Sequence, residues 1–533
     1  MGTEHADAVV VGSGPNGLTA ANLLADAGWD VVVLEANEDP GGAVRSGALI
    51  EADSTHDLYS SFYPLGVASP VLQSLALEDH GLRWRRSELV VAHPRLDGSC
   101  AVLSRDLHET MASLEAFAAG DGMAWQRLYE RWEAIGAQLL GALMSPFPPV
   151  ADGARMAKRL GPLGLARFAR FGMLPVARLG AEAFGGDGGP RLLAGNALHA
   201  DLAPEAPGGA LFGWVLCGLG QQVGFPVAEG GSGNLTAALV ARLRRVGGRL
   251  ECSRRVTRIL TEGGRATGVV TEDGARWAAR RAVLADVGAP ALYEQLLDRD
   301  AVPARVLADI GRFQYDNATV KVDWTLDGEI PWSHPDVRRA GTVHVAEGVD
   351  ALAEQSSNIA RGLLPNRPFL VMGQYARTDP TRQPAGRETA WAYTHLPQKI
   401  LGDSGPDGLQ GSWDERETEV FVARMETQIE ELAPGFGRLI RGRHVFTPPG
   451  FQRANANLVN GALNGGTAAL HQQLVLRPIP GLGRSETPVD GLYMASASAH
   501  PGGGVHGACG ANAARAALAR RRPARLVRAL ARR

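Results

Sequence analysis

The chain has 533 residues, which is more than one hydrophobic core accommodates and predicts two or three subdomains. Apolar residues make up 45% and charged residues 21% of the sequence, as in an ordinary globular protein. The 54 Lys and Arg nearly balance the 56 Asp and Glu, for a formal net charge of −2. This balance excludes a whole-protein field for nucleic acid, so no nucleic-acid partner is expected.

The cysteines argue against disulfide and metal chemistry, because Cys100, Cys217, Cys252 and Cys509 form no CxxC pair. We expect no disulfide framework, no dithiol redox centre and no bound metal. The N-terminus runs into a strand without a basic leader segment, and no stretch reaches the ~18–20 apolar residues that span a bilayer. We therefore expect a cytoplasmic protein.

The first elements along the chain form a βαβ unit. DAVVV at 7–11 predicts a short buried strand, and a Gly-rich turn follows it. An Ala/Leu-rich helix over about 17–27 ends at Gly28, and VVVLE at 31–35 predicts the next strand. Strand, turn, helix and strand within ~30 residues are typical of a Rossmann-type nucleotide-binding domain.

The turn in this unit, Gly12-Ser13-Gly14-Pro15-Asn16-Gly17, is a GxGxxG element. The first glycine permits the tight turn, the second lets the backbone approach a pyrophosphate, and the third lets helix and strand pack closely. The helix N-terminus presents N–H groups and a positive dipole end to phosphates. The acidic residue that ends the next strand can accept hydrogen bonds from ribose hydroxyls. The predicted dinucleotide-binding residues are Gly12, Gly14, Pro15, Asn16, Gly17 and Glu35.

The residues after the second strand favour FAD as the dinucleotide. Glu35 would repel a 2′-phosphate, which disfavours NADP. Gly41 and Gly42, with Arg45 three residues on, would let backbone and guanidinium reach an extended FAD. The alternative for Arg45 is a surface ion pair. No second GxGxxG follows a strand, so we expect FAD and no separate NAD(P) domain.

The middle of the chain alternates between helical and strand-like segments, so the domains are predicted to be discontinuous. Helical patterns dominate from about 105 to 220, and strand-like segments resume at 249–260. The predicted boundaries are 1–95, 223–295 and 481–520 for the three parts of the FAD-binding domain, 96–222 for a helical substrate part, 296–480 for a substrate domain, and 521–533 for a basic tail. The predicted fold class is therefore α/β: a discontinuous Rossmann-type FAD-binding domain with an α+β substrate domain.

A second glycine-rich turn, SAHPGGGVHG at 498–507, lies between an apolar strand and an Ala-rich helix. Consecutive glycines before a helix bring backbone N–H groups close to a large flat ligand, and such a helix N-terminus stabilises the negative charge of a reduced flavin. The alternative is a turn without a ligand. The predicted isoalloxazine-binding residues are Pro501, Gly503, Gly504, Val505 and His506.

These two turns resemble those of the phytoene desaturase family of flavoproteins, and more closely its phytoene-dehydrogenase-related branch. The resemblance extends over nearly the whole chain and includes the segments at 69–84, 225–239, 321–332 and 390–397. It implies a two-domain flavoprotein, like p-hydroxybenzoate hydroxylase and the amine oxidases, that holds FAD noncovalently. It also implies that Val256 lies beside the adenine, and that the substrate is a small apolar molecule such as an isoprenoid or polyene.

The reaction class follows from the cofactor, since a flavin accepts a hydride from a substrate C–H. Forming a double bond also releases a proton, and His500 or His506 beside the glycine turn can accept it. The alternative is that both histidines only shape the turn. For the whole protein, the predicted activity is desaturation or isomerisation of an apolar substrate. The alternatives are an amine or amino-acid oxidase and a non-catalytic FAD-binding protein.

Two basic segments indicate a peripheral contact with a membrane. Residues 153–181 contain six basic and no acidic side chains, interleaved with Leu, Phe and Met, and the 521–533 tail places Leu526 and Leu530 opposite several arginines. Basic amphipathic helices bind anionic interfaces. The alternative is a solvated helix and a frayed tail.

Overall fold

Residues 3–519 are described by a computed structural model, and they form twenty strands and sixteen α-helices. The strands are β1 (Thr3–Val11), β2 (Val31–Leu34), β3 (Ser46–Gly47), β4 (His56–Asp57), β5 (Trp84–Arg85), β6 (Leu89–Pro94), β7 (Cys100–Ser104), β8 (Val227–Ala228), β9 (Arg249–Glu251), β10 (Val256–Glu262), β11 (Arg265–Thr271), β12 (Arg276–Ala285), β13 (Ala318–Leu326), β14 (Ala340–Val345), β15 (Leu363–Leu364), β16 (Leu370–Gln374), β17 (Glu388–Leu396), β18 (Gly402–Asp403), β19 (Ile440–Phe446) and β20 (Leu492–Met494). The helices are α1 (Pro15–Asp26), α2 (Pro64–Ala68), α3 (Pro70–Ser74), α4 (Leu107–Glu115), α5 (Asp121–Met144), α6 (Val150–Met173), α7 (Val176–Ala183), α8 (Gly188–Leu198), α9 (Gly209–Val223), α10 (Gly233–Arg245), α11 (Ala304–Ile310), α12 (Val349–Ala360), α13 (Glu415–Leu432), α14 (Phe436–Leu439), α15 (Pro448–Ala454) and α16 (Ala508–Leu518).

The first sheet combines strands from both ends of the chain. Its order is β10-β11-β12-β1-β2-β9, and β20 also pairs with β12. The strands β9, β2, β1, β12 and β20 run parallel, while β10 and β11 form an antiparallel hairpin at one side. The parallel part has the doubly wound order of a dinucleotide-binding domain.

The continuous apolar runs of β1 and β2 are explained by burial on both faces of this sheet. Val10 and Val33 pack with α1, α10 and α16 on one face. Val9 and Val32 pack with the β10–β11 hairpin and the 289–310 segment on the other face. Because both faces are covered, every position of these parallel strands favours an apolar residue.

The second sheet forms the core of the other part of the molecule, in the order β19-β13-β17-β16-β14-β6-β7. One face, including Val322 and Trp324 of β13, packs against α13 and α14. The helical segment predicted for residues 105–220 is observed as α4 to α9, which pack with β6 and β7 around Trp132 and Trp214. Strand β6 belongs to this sheet, so the predicted boundary at residue 95 falls between two of its strands.

The two chain ends meet where α16 packs on α1. A Cβ atom at Gly510 would lie 1.9 Å from the carbonyl oxygen of Asn16, so only glycine permits this contact. A Cβ atom at Gly507, where φ is +70°, would lie 2.7 Å from Thr19 Oγ1. The first residues of both helices therefore lie side by side, and the turns that precede them are neighbours.

No helix within residues 3–519 is long and apolar enough to cross a membrane. The basic tail predicted at 521–533 lies outside the described residues.

Candidate cofactor site

The N-terminal glycine turn is held in place by Glu35. Its Oε2 atom accepts hydrogen bonds from the N–H and the hydroxyl of Ser13, at 2.9 and 2.6 Å, and Oε1 accepts from Asn37 N–H at 2.9 Å. Gly12 has φ +94°, which favours glycine. The turn and the acidic end of β2 therefore form one rigid unit.

The N-terminus of α1 retains two N–H groups without a protein acceptor in the described chain, those of Gly14 and Asn16. The buried Oδ1 atom of Asn16 is also without a hydrogen-bond partner. Buried polar groups are normally paired, so unpaired groups of this kind indicate a polar ligand. Their position on the glycine turn fits the pyrophosphate of a dinucleotide.

The second glycine pair lies against the first turn. Gly41 N–H donates to Ser13, and a Cβ atom at Gly42 would lie 3.0 Å from the Cα of Gly14. Arg45 forms an ion pair with Asp39 at 3.2 Å, which is the alternative that the sequence left open for this residue.

Val256 begins β10, two residues after Arg254. The N–H of Arg254 donates to the carbonyl of Glu35. Val256 is therefore close in the chain to the ribose end of the predicted site.

Sequence reasoning missed Asp286, which follows β12 and lies against the glycine turn. Its Oδ2 accepts the Gly17 N–H at 2.8 Å, so this N–H group is not available to a phosphate. A Cβ atom at Gly14 would lie 2.6 Å from the same oxygen. The available signal was an acidic residue at the carboxyl end of a strand beside β1, where α/β sheets bind ligands.

At the C-terminal turn, the N–H groups of four consecutive residues donate to no backbone acceptor within the part of the chain that the structure describes: Gly503, Gly504, Val505 and His506. The carbonyl of His506 accepts the Ser69 hydroxyl at 2.6 Å, which fixes the turn against α3. Pro501 is partly exposed on the same turn. This arrangement fits a ligand that accepts backbone hydrogen bonds, as a flavin does.

The two candidate histidines have different partners. His506 Nδ1 accepts the Ala508 N–H at 3.0 Å, and the ring also donates to the carbonyls of Gly502 and Gly503. Both of its nitrogens are therefore engaged, and burial lowers its pKa to about 4. His500 Nε2 contacts the carbonyl of Ser145 at 3.1 Å and must carry the hydrogen, which leaves a buried Nδ1 lone pair without a partner.

A buried charged network lies between the second sheet and the β4 segment. Asp57 Oδ2 accepts from Arg382 at 2.7 Å and from the Tyr375 hydroxyl at 2.9 Å, while Ser232 N–H donates to Oδ1. Burial alone would raise the pKa of Asp57, but the Arg382 guanidinium and the Ser232 N–H outweigh it and hold this pKa below its ordinary value. Asp57 is thus a permanently charged structural partner of Arg382.

Lys321 extends this network along β13. It is buried, forms an ion pair with Asp323 and donates to the carbonyl of Asp57 at 2.8 Å. Opposite these residues on β17 are Tyr393 and Trp391, whose rings are parallel with centroids 5.9 Å apart. The Lys321 ammonium lies 6.0 Å from the centre of the Trp391 ring. This sheet face therefore combines aromatic surface with charges that are already paired.

A cavity of about 440 Å³ lies next to the C-terminal turn. Its wall includes Pro70 and Val71 from α3, which begins at Ser69, and Leu140 and Met144 from α5. Ser145, which accepts from His500, also lines it. The wall is mixed, because Gln73, Asp152, Gln222 and Arg515 line it together with the apolar side chains. A cavity of this size is typical of small-molecule sites.

Comparisons with known proteins agree with this geometry. Residues 10–76 match a family model described as an NAD(P)-binding Rossmann-like domain. The chain is 26% identical to pyridine nucleotide-disulfide oxidoreductase domain-containing protein 2 of Rattus norvegicus, over 95% of this chain and 92% of that protein. It is 25% identical to a phytoene desaturase of Fusarium fujikuroi, over 93% of this chain and 86% of that protein. These relatives confirm the predicted resemblance.

Among solved structures, putrescine oxidase bound to putrescine superposes with a TM-score of 0.62 at 17% identity, covering 97% of this chain and 99% of that chain. This likeness concerns the fold alone. It confirms the predicted class, an α/β flavoprotein with a Rossmann-type domain and an amine-oxidase-like arrangement.

Proposed function

The chain is an FAD-dependent oxidoreductase related to the phytoene desaturases, and on this premise we propose that it desaturates or isomerises a small apolar molecule of isoprenoid or polyene type. The observation that carries the proposal is the cavity of about 440 Å³ beside the C-terminal glycine turn. The apolar part of its wall, which includes Val71, Leu140 and Met144, would bind a hydrocarbon by burial of apolar surface, at roughly 25 cal/mol per Å². FAD, when bound, supplies the hydride acceptor.

The charges of the sheet face argue against an amine substrate. An amine oxidase has to hold a cationic or freshly deprotonated amine, for which unpaired carboxylates or open aromatic faces are suitable. Here the carboxylates of Asp57 and Asp323 are paired with Arg382 and Lys321. The Lys321 ammonium already lies over Trp391, and it would repel a second cation.

Within this proposal, His500 is the residue that accepts the proton released when a double bond forms. Its buried Nδ1 lone pair has no hydrogen-bond partner within residues 3–519, and burial lowers its pKa, so near neutral pH the ring is neutral and its lone pair can accept a proton. His506 has no free nitrogen and acts instead on the shape of the turn. Asn512 and Arg515 line a second cavity together with His500, of about 200 Å³.

Anaerobic reduction of the bound flavin tests the proposed substrate class. We expect a small polyene isoprenoid in detergent micelles to bleach the flavin absorbance at least about 100-fold faster than a primary diamine at the same concentration. Faster bleaching by the amine would show that the enzyme is an amine oxidase. A flavin that dithionite reduces but neither compound does, with no isomerised polyene among the products, would identify a non-catalytic FAD-binding protein.

We also propose that α6 contacts an anionic membrane surface, from which an apolar substrate can enter. Three of the basic side chains in this region pair with acidic neighbours, Arg155 with Asp152 and both Arg170 and Arg178 with Glu182. The basic side chains of the region with no acidic partner in the described chain are Lys158, Arg159 and Arg167. Exposed apolar residues accompany them, namely Val150, Leu163, Leu165 and Met173. Apolar and basic residues on one exposed helix are the pattern that binds anionic interfaces.

A matched pair of leucine variants tests the membrane proposal. Leu163 on α6 and Leu401 elsewhere are similarly exposed, at 64% and 68%. We expect Leu163→Glu to weaken cosedimentation with anionic phospholipid vesicles at least about tenfold, because it replaces apolar contact with like-charge repulsion. Leu401→Glu should bind as the wild type does. Equal loss in both variants, or equal binding to zwitterionic vesicles, would contradict this surface.

A further inference from the structure

With FAD bound, the negative charges at the N-terminal glycine turn would outnumber the cationic side chains near it. Glu35 and Asp286 are both buried at this turn, and the FAD pyrophosphate brings two further charges. Arg45, the basic residue nearest in sequence, is bonded to Asp39. Carboxylates that share a site with other anions bind protons more readily than isolated ones.

Hydrogen bonding decides which of the two carboxyl groups takes the proton. Glu35 accepts three hydrogen bonds, two from Ser13 and one from Asn37. Asp286 accepts one, from Gly17. Of the two groups, Asp286 is therefore the easier to neutralise.

We propose that Asp286 is a positioning residue for FAD and acts in its protonated form. Oδ2 continues to accept the Gly17 N–H, while a proton on Oδ1 removes the negative charge of the carboxyl group beside Gly14. An ionised Asp286 repels the pyrophosphate. Binding of FAD then takes up a proton whenever Asp286 is ionised in the free protein.

The surroundings of Asp286 support this assignment. Burial, with a contribution from the charge of Glu35, raises the pKa of Asp286 to about 7 even without a phosphate nearby. From α16, the Cys509 thiol faces the same region, but burial raises its pKa to about 12, so it stays neutral. Asn457 contacts the Asp286 carbonyl and carries no charge. Glu35, which directly follows β2, is therefore the charged group near Asp286 that contributes to its raised pKa.

The test is the FAD dissociation constant of the full-length apoprotein, measured by quenching of flavin fluorescence between about pH 6 and about pH 9. Because only protonated Asp286 binds well, the wild-type constant should rise about tenfold for each unit of pH above about 7.5. Asp286→Asn keeps the acceptor for Gly17 and cannot ionise, so its constant should remain flat over this range. Parallel profiles for the two proteins would overturn the proposal.

A second measurement needs no variant and therefore does not depend on how Asp286→Asn folds. Calorimetric titration of FAD in two buffers with different ionisation enthalpies reports the protons taken up on binding. We expect an uptake approaching one proton at about pH 8 and almost none at about pH 6. Zero uptake at both pH values would overturn the proposal, and tight FAD binding in the same titration would show that the cofactor assignment itself still holds.

Discussion

Gly14→Val should abolish FAD binding, with at least about a 100-fold loss of affinity, or about 3 kcal/mol. Gly14 has φ −61°, so its backbone tolerates a side chain and the chain should still fold. A valine side chain does not fit at this position, because its Cβ atom would lie 2.6 Å from Asp286 Oδ2 and the Gly42 loop packs on the other side. The measurement is FAD content after purification, with circular dichroism to confirm folding.

A glycine with open surroundings provides the control for this variant. Gly172 on α6 has no atom within 4 Å of a Cβ position, so Gly172→Val should keep its full FAD content. Gly14→Ala should have an intermediate effect, because the nearest atom belongs to a side chain that can rotate. A folded Gly14→Val protein with normal FAD content would show that the dinucleotide does not pass this turn.

His500→Gln should slow flavin reduction by substrate by roughly 10²–10⁴-fold, as expected for loss of a general base. Glutamine can still donate to the Ser145 carbonyl, which His500 contacts at 3.1 Å, but its amide has no basic lone pair. FAD content and visible spectrum should be unchanged. The measurement is the anaerobic reduction rate as a function of pH. The wild-type rate should fall at low pH, where His500 is protonated, and the variant should lose this acidic limb only if proton transfer is affected.

His506→Asn is the matched control, because an asparagine oxygen can replace Nδ1 as acceptor for the Ala508 N–H. Its reduction rate should stay within about tenfold of the wild type. If His506→Asn loses activity and His500→Gln does not, the assignment of the two histidines is reversed. If neither variant changes the rate, both residues serve only to shape the turn.

Local patterns predicted much of the nucleotide-binding domain. The βαβ unit is observed as β1, α1 and β2, with the helix at Pro15–Asp26 where the sequence indicated about 17–27. The strand, glycine turn and helix at the end of the chain are observed as β20, the 498–507 turn and α16. These elements were predictable because their signals lie within a few residues of one another.

The network around Asp57 was not predictable in the same way. Its partners Arg382 and Tyr375 are more than 300 residues away in sequence, and Lys321 joins from another strand. Nothing local distinguishes a buried, paired lysine from a solvent-exposed one. The pairing depends on which face of the second sheet is turned toward the β4 segment.

By itself, then, the sequence determined the glycine turns, the acidic residue at the end of β2 and the class of cofactor, since each depends on short-range geometry. The tertiary structure alone decided the hydrogen-bond partners of Asp286 and of the two histidines. Asp286 meets Gly17 across 269 residues, and His500 meets Ser145 across 355. Whether a carboxyl holds a proton, or an imidazole keeps a free lone pair, depends on burial and on partners that only folding brings together.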